Sequence, residues 1–257
     1  NKSQNIPQEE YYSNKGMKTD VSAFAMIKYN PIKCLMLSGN VQYRYASFDY
    51  IDYVNDDNSF NKNDNGTIWN FCNFGFNIDY TPVNSTKIYG KYNRVNREPT
   101  RSDMFGGNEN FTGEFATLNP EIANDFECGI EYTLKDRLYT NVNFYHMWFK
   151  NELILNGEYG LNGIPCHDNA ISSYRSGVEV DVKWRVVSNL NLDVNGSYSI
   201  NKCTTETFGK TNHILTPAVT ANADIYWESS DFNIGFDTNF RSKMYVDMSN
   251  EYTIPYL

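Results

Sequence analysis

Apolar and polar residues alternate one by one along most of this chain. A period of two places successive side chains on opposite faces of a β-strand, so the alternation predicts strands with one apolar and one polar face. The first runs from about Thr19 to Tyr29, with Val21, Ala23, Ala25, Ile27 and Tyr29 on one parity. The second covers about Cys34–Tyr53, with Leu35, Leu37, Val41, Tyr43 and Tyr45 against Ser38, Asn40, Gln42 and Arg44. The third, about Thr67–Tyr80, sets Ile68, Cys72, Phe74, Phe76, Ile78 and Tyr80 on one face, and a fourth climbs to Asn96. A fifth (about Asp125–Leu134) and a sixth (about Leu138–Phe149) follow. The seventh alternates most clearly, with Val178, Val180, Val182 and Trp184 against Glu179, Asp181, Lys183 and Arg185. The eighth (Leu190 to Ile200), ninth (Leu215 to Trp227) and tenth (Phe232 to Met248) repeat the plan.

The connections alternate as well. Short turns at Asn30-Pro31-Ile32, Thr81–Ser85, Lys135-Asp136 and Glu228–Asp231 are separated by polar segments. Those segments are 1–17, Asn55–Gly66, the stretch beyond Asn96, Asn151–Ala170 and Lys202–Asn212, all read as loops. Tyr29, Tyr80, Tyr132, Trp184 and Trp227 each stand on the apolar parity just before a short turn. These strands are longer than the typical five or six residues of soluble sheets. In lipid every backbone group must pair within a closed sheet. Such a barrel carries an apolar outer band edged by aromatic girdles, with short turns at one end and long loops at the other. A soluble β-sandwich also alternates, but it predicts neither the unequal connections nor aromatics gathered at one end. The pattern therefore predicts an all-β, antiparallel transmembrane β-barrel wall of about ten strands.

Composition agrees. The chain holds 20 Tyr and 16 Phe, yet its mean hydropathy is −0.58. No stretch approaches the roughly 18 apolar residues of a spanning helix. A net charge of −9 argues against nucleic acid as a partner. The five cysteines show no metal-ligand spacing, and His146, His167 and His213 lie in separate segments, so neither a metal site nor catalysis is expected.

The segment Arg97-Glu98-Pro99-Thr100-Arg101-Ser102-Asp103-Met104-Phe105 is followed by Leu118-Asn119-Pro120-Glu121 and by Glu127-Cys128-Gly129-Ile130-Glu131-Tyr132. Gly177-Val178-Glu179-Val180-Asp181 opens the seventh strand. This order of motifs resembles TonB-dependent outer-membrane receptors, in detail over about residues 86–187. The resemblance implies a barrel of about 22 strands around a plug domain. It implies a bacterial outer-membrane location and TonB-ExbB-ExbD as the partner acting through the plug. It further implies import of a scarce small molecule, a ferric siderophore or haem-type iron complex, with no cofactor and no enzymatic activity. Residues 1–257 are then expected to be the C-terminal part of the barrel, with plug and final strands outside it. A passive porin or an adhesion or autotransporter barrel remains the alternative, and a soluble β-rich binding module a third reading.

Candidate sites come from the same stretch. Arg94, Arg97, Arg101, Asp103 and Phe105 are candidate ligand contacts, or else they order the loop and the lumen wall. Asp56, Asp57 and Asp64 lie in an Asp/Asn-rich segment that could bind Ca²⁺. It lacks the closing Glu of an EF-hand, which favours a solvated loop. Cys166 and Cys203 fall in neighbouring long loops and are a candidate disulfide in an oxidising location.

Overall fold

The computed structural model describes residues 12–56, 59–107, 115–160 and 163–257, with the side chains of 12–13 and 52–64 outside that description. Its strands are β1 (Tyr12–Ile32), β2 (Leu35–Asp56), β3 (Ser59–Val83), β4 (Thr86–Arg97), β5 (Glu121–Leu134), β6 (Leu138–Lys150), β7 (Leu153–Tyr159) and β8 (Pro165–Asn169). They continue as β9 (Ser172–Val187), β10 (Leu190–Thr205), β11 (Gly209–Asn212), β12 (Val219–Glu228), β13 (Asn233–Arg241), β14 (Met244–Tyr245) and β15 (Thr253–Ile254). One short helix, α1 (Arg101–Met104), follows β4.

The main sheet is antiparallel, in the order β1-β2-β3-β4-β5-β6-β9-β10-β12-β13, with β11 added to β10. Short turns close the hairpins near the predicted places, but the first is displaced: Asn30–Ile32 belong to β1, and the chain turns at Lys33-Cys34. At the far end Arg241 and Leu257 exchange backbone hydrogen bonds at 3.1 Å, so the ladder continues into the last residue.

Four loop expectations are corrected. Residues 12–17 belong to β1, and β2 and β3 extend to Asp56 and Ser59, so the expected loop over Asn55–Gly66 is mostly a hairpin. Asn151–Ala170 likewise contains the hairpin β7–β8, and β10 runs on to Thr205 against β11. Polar sequence does not prevent pairing, because a ladder projecting beyond the apolar band satisfies its backbone in water on either face. The tenth predicted strand is shorter than expected: β13 ends at Arg241 and the chain turns into β14–β15.

The register aligns every apolar parity. One transverse row reads Ala25–Val41–Phe74. Another reads Ile88–Ile130–Val142–Val180–Gly196–Ala221–Phe240. This face stays open: Ile27 is 69% exposed and Phe236 67%. The opposite parity carries Asn141, Asp181, Asn195, Asn222 and Asn239 in one row. At the loop end that polar face is covered. Ala46, Phe48, Tyr50, Trp69, Phe71, Ser173 and Cys203 stand on it, and all are buried. The loops thus fold over the polar face, which identifies it as the lumen side. The apolar face, with Tyr29, Tyr80, Tyr132, Trp184 and Trp227 at its short-turn edge, is the lipid side.

Candidate functional site at the loop end

The lumen wall is built from cross-strand pairs. Lys87 faces Glu131 at 2.6 Å and Lys91 faces Glu127 at 3.2 Å, and both ammonium groups lie over the Tyr89 ring between them. Tyr89 lies across Gly129, where a Cβ would come within 2.5 Å of both the Tyr89 hydroxyl and the Val142 carbonyl. Toward the loops, Arg44 of β2 binds Glu98 through two nitrogens at 2.7 and 2.8 Å, and Asp20 through its Nε at 3.0 Å. Lys18 adds a 2.8 Å contact to Glu98. Burial alone would raise the Glu98 carboxyl, but Arg44 and Lys18 hold it down, at about 2.

Above this node lies an aromatic cluster. Phe48, Tyr50, Trp69 and Phe71 from β2 and β3 meet Met104 and Phe105 from the segment after β4, with Phe115 packed on them. Tyr50 and Phe105 are closest, with centroids 4.8 Å apart. The Arg101 guanidinium caps the cluster, 4.9 Å from the Phe105 centroid and 5.8 Å from that of Tyr50. Thr100 and Asp103 form a capping box around α1: the Asp103 N–H donates to the Thr100 hydroxyl, and the Thr100 N–H to the Asp103 carboxylate at 2.7 Å. Asp103 also lies 3.0 Å from His167 Nδ1, an ion-pair distance without hydrogen-bond alignment.

The next loop is held the same way. Asn151 adopts φ 56°, a left-handed turn that Asn tolerates, and directs Glu152 back onto the lumen wall. There the Glu152 carboxylate accepts from the Ser173 hydroxyl and from Arg175 Nη2 at 2.5 Å. His213 Nε2 lies 3.0 Å from Arg175 and 3.5 Å from Glu152. Burial would raise the Glu152 carboxyl; His213, Ser173 and Arg175 together outweigh it and hold it at about 2. Asn119 and Asn169 exchange bonds of 2.7 and 3.0 Å between two loops. Gly107, at φ +68°, meets the β7–β8 hairpin so closely that a Cβ would lie 2.6 Å from the Ile164 carbonyl. Asn250 joins the last loop to β11, accepting from the Asn212 N–H at 2.6 Å. A cavity of about 330 Å³ opens where these loops meet, lined in part by Leu118, Ile154, Asn156, Asp168, Glu206 and Met248.

The predicted site residues separate accordingly. Arg97 stands on the lumen parity with its side chain 54% exposed, 3.0 Å from Glu121, and Arg101 is exposed over the aromatic cluster. Asp103 and Phe105 are buried supports beneath them. Arg94 does not join them, because its register with Phe74 and Asn124 places it on the lipid side. Asp57 lies outside the described residues, as do the side chains of Asp56 and Asp64. Among the described residues no group of acids, histidines and cysteines could hold a metal ion. The candidate disulfide is corrected: Cys166 and Cys203 are both free thiols. Cys166 donates to the Gly106 carbonyl, whereas Cys203 is buried with Ile154, Ala170 and Met248. The Glu152–Ser173–Arg175–His213 group was not singled out in the sequence, since its members are far apart and share no motif.

A continuous antiparallel sheet, apolar on one face, polar on the other and covered by loops at one end, is the wall of an outer-membrane-type β-barrel. The TonB dependent receptor-like, beta-barrel family matches over residues 1–256, and the chain belongs to that family. Its barrels are outer-membrane proteins. The fold is similar to that of the ferric-catecholate import receptor Fiu from E. coli K12 in its closed form: TM-score 0.69, 14% identity, 91% of this chain and 36% of that one. The ferric yersiniabactin uptake receptor FyuA from Yersinia pestis gives a TM-score of 0.71 at 14% identity, over 98% of this chain and 39% of that one. The copper transporter OprC gives 0.76 at 14% identity, over 94% and 38%. The chain thus spans well under half the length of these relatives. Among curated proteins, none matches by sequence.

Proposed function

We propose that this chain forms the C-terminal part of the barrel of an energy-coupled importer for an anionic iron chelate of the ferric siderophore or haem type. A plug domain and the closing strands would lie outside residues 1–257, and TonB-ExbB-ExbD would act through that plug. The observation that carries the reading is the loop layer. Arg97 and Arg101 stand exposed at the lumen mouth on a platform fixed by α1, the aromatic cluster and the Glu152 node. Fixed cations at the mouth of a polar lumen suit capture of an anion, and bonding between loops reduces the ordering cost of binding. The solved neighbours named above as ferric-catecholate and ferric yersiniabactin receptors support the ligand class by analogy of fold alone.

The full-length protein in a TonB-competent outer membrane should take up radiolabelled ferric chelate. Uptake should cease when TonB is deleted, and fall with Arg97→Ala and Arg101→Ala. Uptake independent of TonB, scaling linearly with concentration as through a passive pore, would overturn the reading.

A further inference from the structure

The lipid side is not uniform. At its short-turn edge, the outward positions of one transverse row are Tyr132, Thr140, Val182, Val194, Ala223 and Thr238, with no cation. At the loop edge the register brings Arg94, Asn124, Trp148, Tyr174, Lys202 and Asn212 into one outward row across six adjacent strands. One step above it, Lys150 stands beside Ile122 and Lys210 beside Thr204. Four cations therefore occupy the outward face of this sector. None of the outward strand positions in these two rows is acidic, although the chain as a whole carries a net charge of −9. Of the acids nearest these cations in sequence, Glu152 and Glu98 are held in the lumen-side nodes by Arg175 and Arg44, and Glu206 sits in the turn between β10 and β11.

Aromatic rings fill the ground between the cations. Tyr92 and Trp148 lie with centroids 6.0 Å apart, His146 stacks on Trp148 at 5.5 Å, and Tyr174 lies 6.1 Å from His146. Lys210 Nζ stands 5.2 Å from the Tyr174 ring centroid, and Lys202 Nζ is held at 2.7 Å by the Asn212 side chain. Lys210 thus lies over Tyr174, and Lys202 is the cross-strand neighbour of the same tyrosine, at the level where an outward aromatic row meets lipid headgroups.

We propose that this outward row is a docking surface for a phosphate-bearing lipid of the outer leaflet, its headgroup held by Lys202 and Lys210 and its acyl chains lying on the apolar strands below. Lys150 and Arg94 extend the cationic surface to a second phosphate. Anchoring by snorkelling lysines would serve both interfaces alike. The single-sign charge at one interface only, on rings already in place, favours recognition of an anionic headgroup. The inference rests on the membrane reading of the barrel and not on the identity of the cargo.

The experiment uses the full-length protein purified in neutral detergent, with bound lipid counted by native mass spectrometry. Probes are a bisphosphorylated glycolipid, phosphatidylglycerol and phosphatidylcholine. Binding should be strongest for the bisphosphorylated lipid and weakest for phosphatidylcholine. Lys202→Gln with Lys210→Gln should weaken anionic-lipid binding about 25-fold, at about fivefold per cation. Lys33→Gln with Lys135→Gln, in the short turns, should change nothing. Unchanged binding in the first double variant would overturn the proposal, as would equal binding of phosphatidylcholine, or displacement of the lipid by inorganic phosphate at equal concentration. Heat-modifiable migration of each variant checks that the barrel has folded. If lipid binding proves insensitive while TonB-dependent uptake stands, this inference fails and the transport reading survives.

Discussion

Glu152→Ala should release the loop between β6 and β9 without unfolding the wall. Glu152 is 6% exposed and Ser173 3%. The carboxylate lies 2.5 Å from Arg175, whose side chain is only 21% exposed and whose Nη1 is already buried without a hydrogen bond. Removing one partner of a buried ion pair costs about 3–5 kcal/mol, because the other charge is left uncompensated. Arg175 keeps a stacking contact on Phe149, with 4.4 Å from its Cζ to the ring centroid, and retains some solvent access. Those two facts place the cost at the lower end, about 3 kcal/mol. At about 1.4 kcal/mol per factor of ten, that is a roughly hundredfold larger population of open loop. Amide exchange read by mass spectrometry on the full-length protein in detergent reports it directly. Peptides from 151–171 should lose about two decades of protection, while those from the paired segments of β9 and β10 at the apolar band stay unchanged. The exposed Glu158→Ala serves as control. A change in 151–171 smaller than threefold would refute the claim that this carboxylate latches the loop.

The same carboxylate and Glu98, both held at about 2, predict an acid limit for the loop layer. Because their folded values are depressed, their contribution is fully present above the unfolded value of about 4.3 and is lost as pH falls from there through about 2. Loop protection, corrected for intrinsic exchange, should therefore be flat from pH 7 to 5 and decline below that; a decline already complete at pH 5 would contradict it. Gly129→Ala should impair folding, since its Cβ would meet the Val142 carbonyl at 2.5 Å, and backbone cannot rotate away. A cost of about 1–3 kcal/mol is expected, read as lost heat-modifiable band on gels. Val194→Arg on the lipid side should cost about 2–4 kcal/mol of folding free energy in liposomes, whereas Asn195→Arg on the lumen side should cost little; equal costs would sink the assignment of faces.

The alternation in the sequence was enough to locate the wall because register and parity are one fact in a sheet. Once Val178, Val180, Val182 and Trp184 face one way, each neighbouring strand must align its own apolar set or lose it from the lipid side. The short turns were legible for the same reason, each falling at or within three residues of a Pro, Asn or Asp where the alternation breaks. The loop layer was not. Trp69 and Phe71 lie on the lumen parity of β3 next to Asn73, and only the covering loop makes that an apolar site. Glu152, Ser173, Arg175 and His213 come from four segments with no shared spacing, so nothing local marks them. Arg94 was misplaced among the ligand candidates because it stands only three residues before Arg97, while strand alternation sends the two side chains to opposite faces. Asn-rich segments read as loops proved to be paired, since polar residues exclude a buried strand and not a projecting one.

The account stands on one assignment, that alternate residues of these strands face lipid and a water-filled lumen. Single cysteines at 192–197 along β10, in full-length protein stripped of native cysteines, the five of this chain included, and reconstituted in liposomes, test it most directly. Spin labels at 192, 194 and 196 should be relaxed by oxygen dissolved in the bilayer and shielded from a water-soluble nickel chelate, with the reverse at 193, 195 and 197. Equal access of both reagents to both parities, or the opposite alternation, would contradict the barrel-wall assignment.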